Sequence, residues 1–63
     1  MTASDLAYET KYFWEIAREF HDAETKDDQE TRRLALEEIE AIGMHAENPL
    51  VRRRCEALLA EAA

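Results

Sequence analysis

Three side chains in this sequence are of the kinds that bind transition metals or act as nucleophile and base: His21, His45 and Cys55. A zinc site needs four converging donors, or three and a water molecule, and it normally includes two ligands that are close in sequence. The three residues here are 24 and 10 positions apart and belong to three different predicted segments. We therefore expect no metal and no other cofactor, and a small metal-binding protein is the least favoured functional class.

The same residues are poorly arranged for covalent catalysis. A cysteine nucleophile needs a base, a group that orients the base, and an oxyanion donor in a dry pocket. Cys55 falls within an apolar stripe instead, which predicts a buried and inert thiol. The neighbouring carboxylates in Asp27-Asp28 and Glu37-Glu38 diverge by about 100° on a helix and do not converge on a substrate. Since a single glycine also rules out a glycine-rich phosphate loop, the sequence predicts that the protein is not an enzyme.

The charge of the chain is negative and unevenly distributed. The net charge is -7, and residues 1–30 carry nine acidic side chains against three basic ones. Nucleic acids and anionic membranes attract basic surfaces, so direct binding to either is disfavoured. The charge favours a basic protein partner, although a plain solvated surface would have the same composition.

The N-terminal third of the chain predicts an amphipathic helix over residues 4–22. Its apolar side chains recur with the period of a helix and define one broad face. That face contains Leu6, Phe13, Ile16, Ala17 and Phe20. Glu9 projects within it, so the Glu9 carboxylate must reach solvent, find a partner or be covered by another chain. Residues 23–27 lack periodicity and predict the first connection.

Capping signals predict a second helix over residues 28–43. Asp27 is the expected N-cap, and Glu30 three residues later completes a capping box. The apolar stripe consists of Ala35, Ile39 and Ile42. Gly43 is expected to end the helix by taking the left-handed conformation.

A third helix is predicted over residues 49–62. Asparagine is a good N-cap and proline is favoured in the first turn, so Asn48-Pro49 marks the start. The apolar stripe consists of Val51, Cys55, Leu58, Leu59 and Ala62. Connections of about five residues make consecutive helices antiparallel neighbours. The sequence therefore predicts an all-α protein with one domain, 1–63, folded as an up-down-up three-helix bundle.

The second and third predicted helices together follow part of a known pattern. The third helix begins with Asn48, Pro49, Val51 and Arg52, and Ala57 and Leu58 follow. With the preceding run from Arg33 to Ile39, residues 33–60 resemble one helical pair of a HEAT-type repeat. The resemblance implies a helical hairpin used as a protein-binding scaffold, and it carries over no catalytic residues.

Every phenylalanine, tyrosine and tryptophan lies in the first predicted helix. Two of these rings can fill a small core, while tyrosine and tryptophan are enriched at the hot spots of protein interfaces. We therefore predict a surface on this helix that binds a protein partner. It consists of Tyr8, Glu9, Tyr12, Trp14, Glu15 and Glu19.

The small size of the chain predicts self-association. A domain of 63 residues has little net stability unless a disulfide, a metal or a partner adds to its core. One cysteine cannot form an internal disulfide. We therefore expect a homodimer that forms through the aromatic helix.

These features together predict a small acidic regulator, adaptor or inhibitor that works without catalysis. The alternative function is an acidic decoy that imitates phosphates and occupies a nucleic-acid-binding protein. Its carboxylates would lie on one face of the protein and include those of Asp5, Glu15, Glu19, Asp22 and Glu24. No apolar run approaches the roughly 20 residues of a membrane span, and the N-terminus lacks the basic start of a signal peptide, so a cytoplasmic location is expected.

Overall fold

Three α-helices make up almost all of the described chain. The computed structural model describes the backbone of residues 3–62 and the side chains of residues 6–62. Helix α1 spans Ala3–Thr25, α2 spans Gln29–His45 and α3 spans Pro49–Ala62. The predicted all-α, three-helix architecture is confirmed. None of these helices combines the length and the low charge that a membrane-spanning segment requires.

The central helix of the fold is α2. Both α1 and α3 pack mainly against it, and they meet each other at only a few points. Pairings between distant residues show the antiparallel order, since Glu24 near the end of α1 contacts Arg32 near the start of α2. The Cα atoms extend over 38 × 18 × 13 Å. The bundle is therefore long and thin, with a shallow groove between α1 and α3.

The core lies where the three apolar stripes meet. Its most deeply buried large side chains, each at most 2% exposed, are those of Phe13, Phe20, Ile39, Val51 and Cys55. Burial of a large apolar side chain contributes about 1.5–3 kcal/mol. Phe13 and Phe20 are the aromatic side chains that α1 contributes to this core, whereas the tyrosines and the tryptophan of the same helix lie outside it.

Helix α1 ends nearly one turn later than predicted, at Thr25. Ala23, three residues after Phe20, continues the apolar stripe and is buried, so the predicted connection over 23–27 is wrong for its first three residues. Asp27 then takes a left-handed φ of 56°. The N–H groups of Asp27 and Asp28 donate to the carbonyls of Glu24 and Ala23 at 3.2 and 2.8 Å, which is the bonding pattern of a Schellman motif.

The N-cap of α2 is Asp28, one residue later than predicted. Its Oδ1 accepts from the Thr31 N–H at 3.1 Å and its Oδ2 accepts from the Thr31 hydroxyl at 2.7 Å. These bonds favour the carboxylate and hold the pKa of Asp28 below its ordinary value. The predicted capping box with Glu30 is wrong because Asp27 is used in the turn that ends α1.

The prediction that Gly43 ends α2 is also wrong. The helix continues to His45, Gly43 does not take a positive φ, and the N–H of Ala46 closes the helix by donating to the Ile42 carbonyl at 2.8 Å. A β-carbon built on Gly43 would lie 3.2 Å from Cβ of Cys55. The glycine therefore allows α3 to approach α2 closely.

The start of α3 agrees with its prediction. The helix begins at Pro49, and the side-chain oxygen of Asn48 accepts from the Leu50 N–H at 3.0 Å. The carbonyl of Asn48 accepts the first helical hydrogen bond, from the Arg52 N–H at 3.1 Å. The side chain and main chain of Asn48 thus both satisfy N–H groups that a helix start leaves without partners.

Candidate protein-binding surface

The six residues predicted to bind a partner do not form one surface. Four of them lie at helical spacings of i, i+4, i+7 and i+11 and share one line along α1. We call this line the tyrosine face, and its residues are Tyr8, Tyr12, Glu15 and Glu19. Trp14 lies on the opposite edge of α1, next to α3, and Glu9 projects toward the connection between α2 and α3.

Both aromatic side chains of the tyrosine face are accessible. Tyr8 is 69% exposed and Tyr12 is 36% exposed, and their ring centroids are 6.5 Å apart with 29° between the ring planes. The Tyr12 hydroxyl donates to Glu38 Oε2 of α2 at 3.0 Å. This hydrogen bond, and the negative charge of Glu38, raise the pKa of Tyr12. The face therefore combines aromatic rings with carboxylates.

A shallow cleft of about 270 Å³ runs between these tyrosines and the end of α2. It is lined by Tyr8, Glu9, Tyr12, Ile42, His45 and Ala46. Ile42 and Ala46 make its floor apolar, while Glu9 and the neighbouring Glu38 place negative charge close to it. We call it the tyrosine cleft. No lysine or arginine is among these lining residues.

Glu9 finds its partner within the chain, which is one of the three possibilities that its position left open. Its two carboxylate oxygens accept from the backbone N–H groups of Glu47 at 2.7 Å and Asn48 at 3.1 Å. The Asn48 amide also donates to the Thr10 hydroxyl at 3.3 Å. A carboxylate is favoured here because it lies at the positive N-terminal end of α3. Glu9 precedes Glu47 by 38 positions and Asn48 by 39 positions, so nothing local in the sequence indicates this contact.

Trp14 belongs to a second exposed aromatic region. Its side chain is 49% exposed, and the guanidinium carbon of Arg54 lies 4.9 Å from its ring centroid, within the range of a cation–π interaction. We call this pair the tryptophan edge. Beside it, the shallow groove between α1 and α3 has a volume of about 200 Å³. The arginine run at residues 52–54 contains no signal that would have singled out Arg54.

The carboxylates of the predicted phosphate mimic do not share one face. Glu24 is nine residues after Glu15 and therefore points about 180° away from it. It contacts Arg32 Nε at 3.4 Å, and Asp22 pairs with Lys26 at 3.1 Å. The side chain of Asp5, the fifth member, lies outside the described residues. The prediction of a single acidic face is wrong for Glu24.

Arg32 is a structural residue that the sequence pattern does not single out. Besides contacting Glu24, its guanidinium carbon lies 5.4 Å from the Phe20 ring centroid, and its Nη2 donates to the Ala62 carbonyl at 3.5 Å. The side chain therefore links the end of α1, the start of α2 and the end of α3. These partners are distant in sequence, so only packing reveals the link.

The three candidate metal ligands are located apart from each other. Cys55 is fully buried, as predicted, and burial raises the pKa of its thiol. His21 Nδ1 lies 3.9 Å from Glu24 Oε1, whereas His45 lines the tyrosine cleft. Among residues 6–62, no three histidine, cysteine, aspartate or glutamate side chains are grouped as a metal site would require.

No protein-family model, curated protein or solved structure matches this chain. The likeness of residues 33–60 to a HEAT-type helical pair therefore stays a resemblance in sequence pattern.

Proposed function

We propose that this protein is a small, non-catalytic interaction module that binds a protein partner through the tyrosine face. The observation that supports this most is the exposure of Tyr8 and Tyr12 on a helix whose core positions are filled by Phe13 and Phe20. Stacked tyrosines on a surface offer a large and rigid contact area at a low cost in side-chain entropy. Neither ring belongs to the buried core.

The charges on this face favour a partner with basic side chains. Glu15 and Glu19 lie on the same line of α1 as the tyrosines, and Glu38 lies beside Tyr12. Carboxylates attract lysine and arginine at long range, and tyrosine rings add cation–π attraction at contact. Glu9 plays a different part from its predicted one, because both of its oxygens already accept backbone N–H groups.

The proposal is tested with a pull-down from the native host, using the whole chain as bait. Tyr8→Ala removes the most exposed aromatic ring of the tyrosine face, and Glu15→Lys reverses one of its charges. Met44→Ala is the matched control, since Met44 is another exposed apolar side chain, 70% exposed, but belongs to α2 and does not line the tyrosine cleft. We expect a protein that is retained by the wild type and by Met44→Ala, and retained at least tenfold less by the two variants of the face.

The salt dependence of the retained complex separates this function from the acidic decoy. A decoy bound to a nucleic-acid-binding protein is released steeply as salt increases and is displaced by DNA or RNA. The tyrosine face should give binding that is only moderately sensitive to salt and is not displaced. Retention of the same protein by Tyr8→Ala and Glu15→Lys would contradict the proposed surface.

A further inference from the structure

We infer that the tyrosine cleft binds a single arginine side chain of a basic segment in the partner protein. This inference rests on the proposed function and goes beyond it by naming the group that is recognised and the place where it binds. The cleft is bounded by α1 on one side and by the last turn of α2 on the other.

The size of the cleft suits one long side chain. Its volume of about 270 Å³ is below the range of about 300–1,000 Å³ that is typical of small-molecule sites. Ile42 and Ala46 provide an apolar floor, against which the methylene groups of a long cationic side chain can pack while its charged end stays near polar groups. An acidic or a short polar side chain would gain neither contact.

The electrostatics of the cleft select a cation. Glu38 lies at its edge, where it accepts from the Tyr12 hydroxyl. Glu9 is a second carboxylate, in the lining, and its oxygens accept backbone N–H groups. No lysine or arginine is among the described residues that line the cleft. The hydrogen bond to Glu38, together with the charge of that carboxylate, also raises the pKa of Tyr12.

Arginine fits these groups better than lysine. A guanidinium is planar, so it can lie against a tyrosine ring while its N–H groups donate to a carboxylate. An ammonium is more strongly hydrated and gives up its water less readily on a surface of this kind. The Arg54 side chain over Trp14 shows the same pairing elsewhere in the molecule, at 4.9 Å from the ring centroid.

The test uses three capped heptapeptides of glycine and serine that differ only in a central arginine, lysine or citrulline. Citrulline has nearly the shape of arginine and no charge. Binding to the whole chain is followed by NMR at millimolar peptide and pH 8, where histidine side chains are mostly neutral. We expect the arginine peptide to shift the amides of Tyr8, Ile42, His45 and Ala46, and to bind about tenfold more tightly than citrulline and about threefold more tightly than lysine.

Two pairs of variants locate the site. Glu38→Gln should weaken arginine binding about threefold, whereas Glu40→Gln makes the same change in charge two residues away, on another side of α2, and should have no effect. Tyr8→Ala should abolish the shifts and Met44→Ala should preserve them. All four side chains are exposed, so circular dichroism should show an unchanged fold.

Equal binding of arginine and citrulline, or shifts spread along the acidic residues of α1, would overturn this inference. Equal binding of arginine and lysine would overturn its selectivity. These failures are distinct from failure of the proposed function, because a partner protein could still be lost on Tyr8→Ala when the arginine peptide does not bind. Conversely, arginine binding in the cleft with no partner lost in the pull-down would contradict the proposed function alone.

Discussion

At the scale of single residues, Gly43 and Cys55 determine how closely two helices approach. Gly43 has a helical conformation and sits in the last turns of α2, so its usual role in ending a helix does not explain it. The β-carbon of any other residue would lie 3.2 Å from Cβ of Cys55. That atom is attached directly to the backbone of α3 and cannot move unless the helix moves.

Gly43→Ala is therefore expected to destabilise the protein by about 1 kcal/mol. Alanine gains about 1 kcal/mol in helix propensity, but overpacking a tight contact costs about 1–3 kcal/mol. Urea denaturation measures the difference. Ala41→Gly, at an exposed position of the same helix, is the control and should lose about 1 kcal/mol through propensity alone. An increase in the stability of Gly43→Ala would show that the contact is looser than the structure indicates.

At the scale of elements, a side chain of α1 and the side chain of Asn48 both accept N–H groups at the start of α3. Glu9 reaches across from the second turn of α1 and accepts the N–H groups of Glu47 and Asn48. The contact orders the connection between α2 and α3, in addition to the apolar packing between helices. It also explains how a carboxylate can project from the apolar face of α1 without a cost in unpaired charge.

Glu9→Gln is expected to lower the free energy of unfolding by about 1–2 kcal/mol, because one charge-assisted acceptor becomes neutral and the other becomes a donor. Hydrogen exchange at the amides of Glu47 and Asn48 should become faster. Glu47→Gln is the matched control. It makes the same change in charge at the connection that Glu9 contacts, but Glu47 takes part in the contact through its backbone N–H, which the substitution keeps. Equal stabilities of the two variants would mean that Glu9 contributes only its charge.

At the scale of the whole molecule, the fold is a three-helix bundle in which the two outer helices, α1 and α3, make little contact with each other. Arg32 closes one end by contacting Glu24 and Ala62. Trp14 and Arg54 are among the residues that line the groove between α1 and α3. The tyrosine face and the tryptophan edge lie on different sides of α1. A partner and a second copy could therefore bind at the same time.

We propose that the predicted homodimer forms over the tryptophan edge, which leaves the tyrosine face free. Sedimentation equilibrium should show a mass that rises from 7.3 kDa toward twice this value as the concentration increases through the micromolar range. Trp14→Ala should weaken association about tenfold or more, because buried tryptophans dominate many interfaces. Tyr8→Ala is the control and should leave it unchanged. A 7.3 kDa monomer at every concentration, with a sharp thermal transition, would refute the argument that so small a domain needs a partner.

The sequence by itself determined the number of helices, their approximate positions and their buried faces. These properties depend on local periodicity and on capping at Asn48-Pro49, which neighbouring residues specify. It also predicted correctly that Cys55 is buried. The exposed state of Tyr8 follows from its place on the helix, outside the stripe that contains Phe13 and Phe20.

Tertiary structure decided the features that depend on residues far apart in the chain. The role of Gly43 depends on Cys55, and the role of Glu9 depends on the start of α3. Helical spacing already separates Tyr12 from Trp14 around α1, but only packing shows that Tyr12 contacts α2 and that Trp14 contacts α3. Periodicity locates a side chain around its own helix, but only packing determines which neighbour it meets.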